Sequence, residues 1–160
     1  MIKPYGADTL MPLFVYDQKK HEQLLKEAES LPSLVINSAA AGNAVMLGSG
    51  YFTPLKGYMN VTDAMKVADR MHTASGLFWP VPILNLAKDI TPIKNAKRIA
   101  LRDPNVEGNP ILAIQDVEAI EQLKDEQVDF IAEMVFRTLD QGHIGVATFT
   151  GQGRYVISGP

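Results

Sequence analysis

The sequence predicts an α+β domain: a small mixed sheet that curls toward a barrel and carries flanking helices. Three observations lead there. Helical periodicity fills the first half of the chain. Short, alternating, β-branched stretches fill the middle and the end. The regular strand–helix alternation that a doubly wound parallel sheet requires is missing. At 160 residues the chain fits one domain, 1–160, and is long enough to bury a core without staples.

Each element has its own signal. Leu13-Phe14-Val15-Tyr16 reads as a short strand. Asp17 is placed to cap a helix whose apolar face is Leu24, Leu25, Ala28 and Leu31, and Pro32 ends that helix. Leu34-Val35-Ile36 is apolar and β-branched, hence a strand or extended run. Ser38 is expected to cap a second helix over Ala39 to Leu47, with Gly48 as its stop. Gly48 to Met59 shows no clean period and reads as a loop with apolar anchors. Asn60 then caps a third helix, with Val61, Ala64, Met65, Ala68 and Met71 on one side.

The second half reads as β with one helix. Leu77 to Leu84 contains Pro80 and Pro82, which cannot donate to a ladder, so an edge or bulged strand is expected. Arg98 to Arg102 and Ile111 to Ile114 both alternate, and the turn formers Asp103 to Asn109 join them as a hairpin. Glu126 to Leu139 has the strongest helical pattern, through Val128, Ile131, Ala132, Val135 and Leu139, with Asp125 as the cap. Ile144 to Phe149 and Arg154 to Ile157 flank Gly151-Gln152-Gly153 and read as a second hairpin.

The chemistry-bearing residues form no catalytic pattern. There is no Cys, which excludes disulfides, thiolate metal sites and a thiol nucleophile. His21, His72 and His143 stand far apart without zinc-ligand spacing; His21 and His72 read as surface residues and His143 as a turn residue. No serine sits in a nucleophile elbow, and Gly48-Ser49-Gly50 holds only part of that pattern. A Gly-rich phosphate loop is also missing. Asp116, Glu118 and Glu121 read as a solvated loop and helix start. The expectation is therefore no catalytic residue, no cofactor and no metal.

Charge and hydropathy limit the partners. Net charge is -3, and the densest basic cluster, Lys94, Lys97, Arg98 and Arg102, is broken by apolar residues. It reads as a solvated strand face rather than a phosphate-binding patch, so nucleic acid is not an expected partner. No stretch reaches the ~20 apolar residues of a membrane span, and Met1-Ile2-Lys3-Pro4 opens no signal peptide. A soluble, cytoplasmic protein is expected. The sequence carries no signal of oligomeric state.

One segment carries more information than composition does. Gly50-Tyr51-Phe52-Thr53-Pro54-Leu55-Lys56-Gly57-Tyr58-Met59 resembles the Gly-Gly-Phe-Ser-Pro-Leu-x-Gly-Phe-Met segment of ATP sulfurylase (sulfate adenylyltransferase) amino-terminal domains. Trp79-Pro80-Val81-Pro82-Ile83 is similar to that family's Trp-Pro-x-Pro-Ile strand. Ile99 to Asp103, Gly108 and Ile111-Leu112-Ala113 resemble its hairpin, and His143-Ile144-Gly145-Val146 its His-x-Gly-Val. The opening, Ile2-Lys3-Pro4 and Pro12 to Asp17, looks most like the enzymes of sulfur-oxidising bacteria. Tyr51, Thr53 and Tyr58 depart conservatively from the pattern.

The resemblance implies a PUA-like barrel that packs on a catalytic nucleotidyltransferase domain, in cis or in trans. In the family, the whole enzyme joins ATP and sulfate to give adenosine 5′-phosphosulfate and pyrophosphate, or runs in reverse. The family's catalytic strings, Gln-x-Arg-Asn-Pro-x-His-Arg-x-His and Gly-Arg-Asp-His, do not occur in this sequence, so no catalytic residue carries over. The residues that do carry over are Gly50, Phe52, Pro54, Leu55, Gly57, Met59, Trp79, Pro80 and Pro82, expected to be structural. A non-catalytic accessory domain is the preferred reading. A free-standing PUA-like module for RNA, and a regulatory domain for a small sulfur or nucleotide ligand, are the alternatives. A domain that packs on a partner should bare an apolar face, here near the carboxyl end and the Gly50–Met59 loop.

Overall fold

The computed structural model describes residues 2–137 and 153–160, the side chains of 135–137 excepted. The chain begins with an extended strip and then forms α1 (Gln18–Ser30), β1 (Ser33–Val35), α2 (Ser38–Gly48) and α3 (Val61–Arg70). It continues through β2 (Leu86–Ala87), a 3₁₀ turn (Thr91–Ile93), β3 (Arg98–Arg102), β4 (Ile111–Asp116), β5 (Ala119–Gln122), α4 (Asp125–Arg137) and β6 (Tyr155–Ser158).

The strands make two three-stranded sheets. In the first, β3 lies between β1, parallel to it, and β4, antiparallel. In the second, β6 lies between β2 and β5, antiparallel to both. The α+β class holds. Among the described residues the sheets do not close into a barrel. They are joined by the bent run from β4 into β5 and by a buried polar bridge. Gln115 on β4 accepts from Asn85 Nδ2 at 3.1 Å and donates to the carbonyls of Ile157 and Gly159, both at 3.2 Å. An amide in that position satisfies buried carbonyls that neither ladder reaches.

The core lies between the sheets and the helices. Ile83, Ile93, Ile99, Leu101, Val128, Ile131 and Ile157 are among its fully buried side chains. Helix caps account for several boundaries. Asp17 accepts from the Lys20 amide and Asn60 from the Asp63 amide, as the sequence predicts. Leu31 is extended because Pro32 follows it, which stops α1. The α3 face is anchored by Ala64 and also by Val67, while Met71 turns left-handed as the C-cap and is exposed.

Five expectations are corrected. Residues 13–16 form no strand; the Leu13 and Phe14 amides donate to the Gly48 carbonyl at the end of α2, which holds the strip extended without a ladder. The cap of α2 is Asn37, whose Oδ1 accepts from the Ala40 amide at 2.8 Å, and Ser38 instead pairs with Asn105. Leu77 to Leu84 contributes only an isolated bridge between Phe78 and His72; the ladder begins after the prolines, at Leu86. Ala119 to Gln122 is strand β5 rather than a helix start, because β6 supplies a partner along its whole length. Asp125 lies inside the first turn of α4 and pairs with Arg154, while Gln127 Oε1 accepts from the Lys124 amide ahead of the helix.

The β3–β4 hairpin stands as predicted, with a bulge at Leu101/Arg102 and with Gly108 and Asn109 at positive φ in its turn. Val128, Ile131 and Ala132 are buried as expected. His143, Ile144–Phe149, Leu139 and the Val135 side chain lie outside the described residues. No described helix is long and apolar enough to cross a membrane.

Candidate functional site

The Gly50–Met59 segment is a chain of tight turns packed against three other parts of the molecule. Gly50 has φ +80°, and a Cβ there would lie 3.0 Å from the Pro12 backbone nitrogen, so both the backbone angle and the close approach favour glycine. Thr53 is buried; its hydroxyl donates to the Gly50 carbonyl at 2.6 Å and accepts from the Met11 amide at 3.0 Å. The Thr53–Pro54 peptide is cis. Half-buried Phe52 meets Trp79 edge to face, ring centres 5.6 Å apart, and Leu55 packs on the core beside them.

The second half of the segment is tied to α2, to Ile83 and to the residue that follows β6. Met59 is buried and donates through its amide to the Ile83 carbonyl at 2.8 Å. This fixes Trp79-Pro80-Val81-Pro82-Ile83 alongside; Pro80 is exposed and Pro82 half-buried. Tyr58 is buried, and its hydroxyl donates to the Ala40 carbonyl at 2.7 Å. Burial pushes that phenol above the ordinary tyrosine range. Gly57 lies against Gly159 so closely that a Cβ would run into the Gly159 carbonyl. Tyr51 and Lys56 point to solvent, and Tyr51 is 77% exposed despite the apolar character of the loop around it.

Beside this segment runs a groove of about 600 Å³. Its walls are the extended strip with Phe14, the α1 face with Leu24 and Leu25, Val45 of α2, strand β4, and the end Gly159–Pro160. Phe14 is 49% exposed, Leu13 45%, Val45 47% and Leu25 42%, so much of the lining is bare hydrocarbon. The apolar face of α1 that periodicity identifies thus points in good part into an open groove. The groove lies where the sequence led one to expect an apolar face.

Of the charged groups that line the groove, Lys56 is exposed and Arg98 is held in ion pairs. Arg98 pairs with Glu27 and, at 2.9 Å, with Asp116. Arg102 donates to the Asn109 carbonyl. Of the acidic run, Asp116 serves that ion pair and Glu121 accepts from the Val61 amide at the start of α3. His21 is exposed; His72 is exposed and packs edge-on against Phe78. Among the described residues no group of His, Cys, Asp or Glu is placed to hold a metal ion. Sequence reasoning did not single out Gln115 or Val45 and read Phe14 only as part of a strand; their roles come from approaches between segments distant in the chain, which no local pattern reports.

The fold and the packed motif define the class. Residues 2–160 match the PUA-like domain family, and the chain belongs to it. Within that class it is similar to sulfate adenylyltransferases. It is 57% identical over 159 residues to the sulfate adenylyltransferase of Alcanivorax borkumensis, covering 99% of this chain and 40% of that protein. It is 53% identical to the one from the Riftia pachyptila sulfur-oxidizing endosymbiont, over 100% of this chain and 36% of that protein. A solved structure, a hexameric APS kinase from Thiobacillus denitrificans, superposes with a TM-score of 0.66 at 28% identity, over 99% of this chain and 26% of that one. The chain thus spans about two fifths of the length of the curated relatives it matches.

Proposed function

We propose that this chain is the non-catalytic, PUA-like amino-terminal part of an ATP sulfurylase, working in the cytoplasm and packing on the catalytic nucleotidyltransferase part in cis or in trans. The observation that carries this reading is the 57% identity that runs through almost the whole chain yet through only 40% of a sulfate adenylyltransferase. The packing of the motif residues supports it. Gly50, Phe52, Gly57, Met59 and Trp79 hold segments of the domain together and present no convergent donors to an anion. Chemistry on ATP and sulfate needs cationic groups around the phosphates. Here Arg98 is held between two carboxylates, and Lys56 stands by itself on a loop.

A barrel-like closure belongs to the same reading. Its support is the Gln115 bridge between the sheets and the hydrogen bonds from Asp116 N to Pro160 O at 2.6 Å and from Glu118 N to Ser158 O at 2.9 Å. These stitch the end of β6 onto the β4–β5 bend.

The test is co-purification. This chain should form a stoichiometric complex with the separately produced remainder of the Alcanivorax borkumensis relative, seen as a single peak in size-exclusion chromatography. Two independent peaks from two folded proteins would count against the reading.

A further inference from the structure

Among the described residues strand β4 has one covered edge and one open edge, and the groove runs along the open one. On the covered side Ala100 and Ile114 are directly opposite. The Ala100 amide points the other way, to the Pro32 carbonyl beyond β3. Ala100 and Ile114 are therefore a non-hydrogen-bonded pair of the antiparallel ladder, and the Ile114 amide points away from β3. Among the described residues nothing accepts a hydrogen bond from it. The Asp116 amide, two residues on, points the same way and is taken by the Pro160 carbonyl.

That bond sets a register. Glu118 N donates to Ser158 O and Asp116 N to Pro160 O, so the chain through Gly159 advances two residues as its partner retreats two. This is an antiparallel run, and its direction leads along the open edge of β4 into the groove lined by Ile111 to Gln115. The next rung in the same register is Ile114. Exposed hydrocarbon of Phe14, Leu25 and Val45 lines the same groove, ready to meet alternate side chains of an extended segment.

Resting on the reading above, we infer that this groove takes one extended, apolar segment from the remaining part of a sulfate adenylyltransferase, added antiparallel to β4 as a further strand with its main chain bonded to Ile114. Strand addition supplies main-chain bonds to an edge that is otherwise a liability, and the groove walls supply the side-chain pockets. The Gln115 bridge holds Gly159 and so fixes where that strand must start.

The test extends this chain at Pro160 by about ten residues, those that follow the matched stretch in the Alcanivorax borkumensis relative; a strand of that length crosses the groove. Amide hydrogen exchange at Ile114 is followed by NMR, with Ala113, already inside the β3–β4 ladder, as the internal reference. The extension should slow exchange at Ile114 by about tenfold or more relative to the unextended chain and leave Ala113 unchanged, the size expected for one main-chain bond. An extension of only one residue ends before the residue that faces Ile114 and should leave Ile114 exchanging as fast as in the unextended chain. Unchanged Ile114 exchange on the full extension, or equal slowing by the one-residue extension, would overturn the inference. The outcome is independent of co-purification: a complex that forms while Ile114 stays unprotected sinks the strand and leaves the functional reading standing.

Discussion

Tyr58 and Gly159, a hundred residues apart, hold each other by two main-chain hydrogen bonds, 3.1 Å from Tyr58 N to Gly159 O and 3.2 Å in return. The motif loop and the last strand are therefore one structural unit. Gly57 makes that approach possible, because it has no Cβ to meet the Gly159 carbonyl.

Gly57→Ala should therefore destabilise the domain by about 1–3 kcal/mol, the usual cost of forcing a methyl into a packed site. Gly42→Ala is the matching control. Gly42 lies inside α2 with nothing within 4 Å of a Cβ, so alanine there should stabilise by about 0.5–1 kcal/mol. Urea unfolding of both variants beside the parent checks the pair; equal effects of the two would mean that the Gly57 contact is unimportant.

Tyr58 gives a pH prediction. Burial disfavours its phenolate, so its proton is held more tightly in the folded state than in the unfolded chain, whose tyrosines ionise near pH 10. Its contribution is complete below about pH 10 and shrinks as pH rises above that value, because only the unfolded chain gains from losing the proton. Tyr58→Phe should flatten this alkaline loss. It should also cost about 1 kcal/mol at neutral pH through the lost bond to the Ala40 carbonyl. Thermal melts from pH 8 to pH 11 measure both effects. A variant that loses stability with pH as steeply as the parent contradicts the assignment.

The aromatic pair Phe52–Trp79 sets the scale for the loop. Phe52 is only half-buried, so Phe52→Ala should cost about 2 kcal/mol, below the 3–5 of a fully buried ring. Lys56→Ala, on a solvent-facing side chain, should stay within about 0.5 kcal/mol of the parent. In a chimera that joins this chain to the rest of the Alcanivorax borkumensis enzyme, the lysine change should leave the KM for ATP and for sulfate as in the unchanged chimera. A large rise in either constant with an unchanged unfolding midpoint would show that the loop touches substrate.

RNA should bind weakly and lose its affinity with salt. In the densest basic cluster Arg98 is paired with Glu27 and Asp116 and Arg102 with a carbonyl, and two exposed lysines, Lys94 and Lys97, are too few for tight phosphate binding. Filter binding with a structured RNA at low and at physiological salt checks this; sub-micromolar, sequence-dependent binding at the higher salt would favour an RNA-binding module instead.

What could be read in advance follows the range of the forces involved. The caps at Asp17 and Asn60, the stop at Pro32 and the β3–β4 hairpin are local chemistry, and the sequence displays them. Strand β5 depends on β6, more than thirty residues further on, and nothing within Ala119 to Gln122 announces that partner. Leu13 to Tyr16 has strand composition but finds the end of α2 instead of a ladder. The groove was legible only as an expected bare face near the carboxyl end. Its open edge, its register and the Gln115 bridge arise from pairing across the fold.

The most direct test of the account is a chimera. This chain replaces its matched 159 residues in the Alcanivorax borkumensis sulfate adenylyltransferase, and pyrophosphate release from ATP and sulfate is measured beside the parent enzyme and beside this chain by itself. The account predicts turnover within about tenfold of the parent for the chimera, a barrier change of about 1.4 kcal/mol or less, and none above the buffer blank for the isolated chain. A folded chimera without activity, or an isolated chain that turns over, would contradict it.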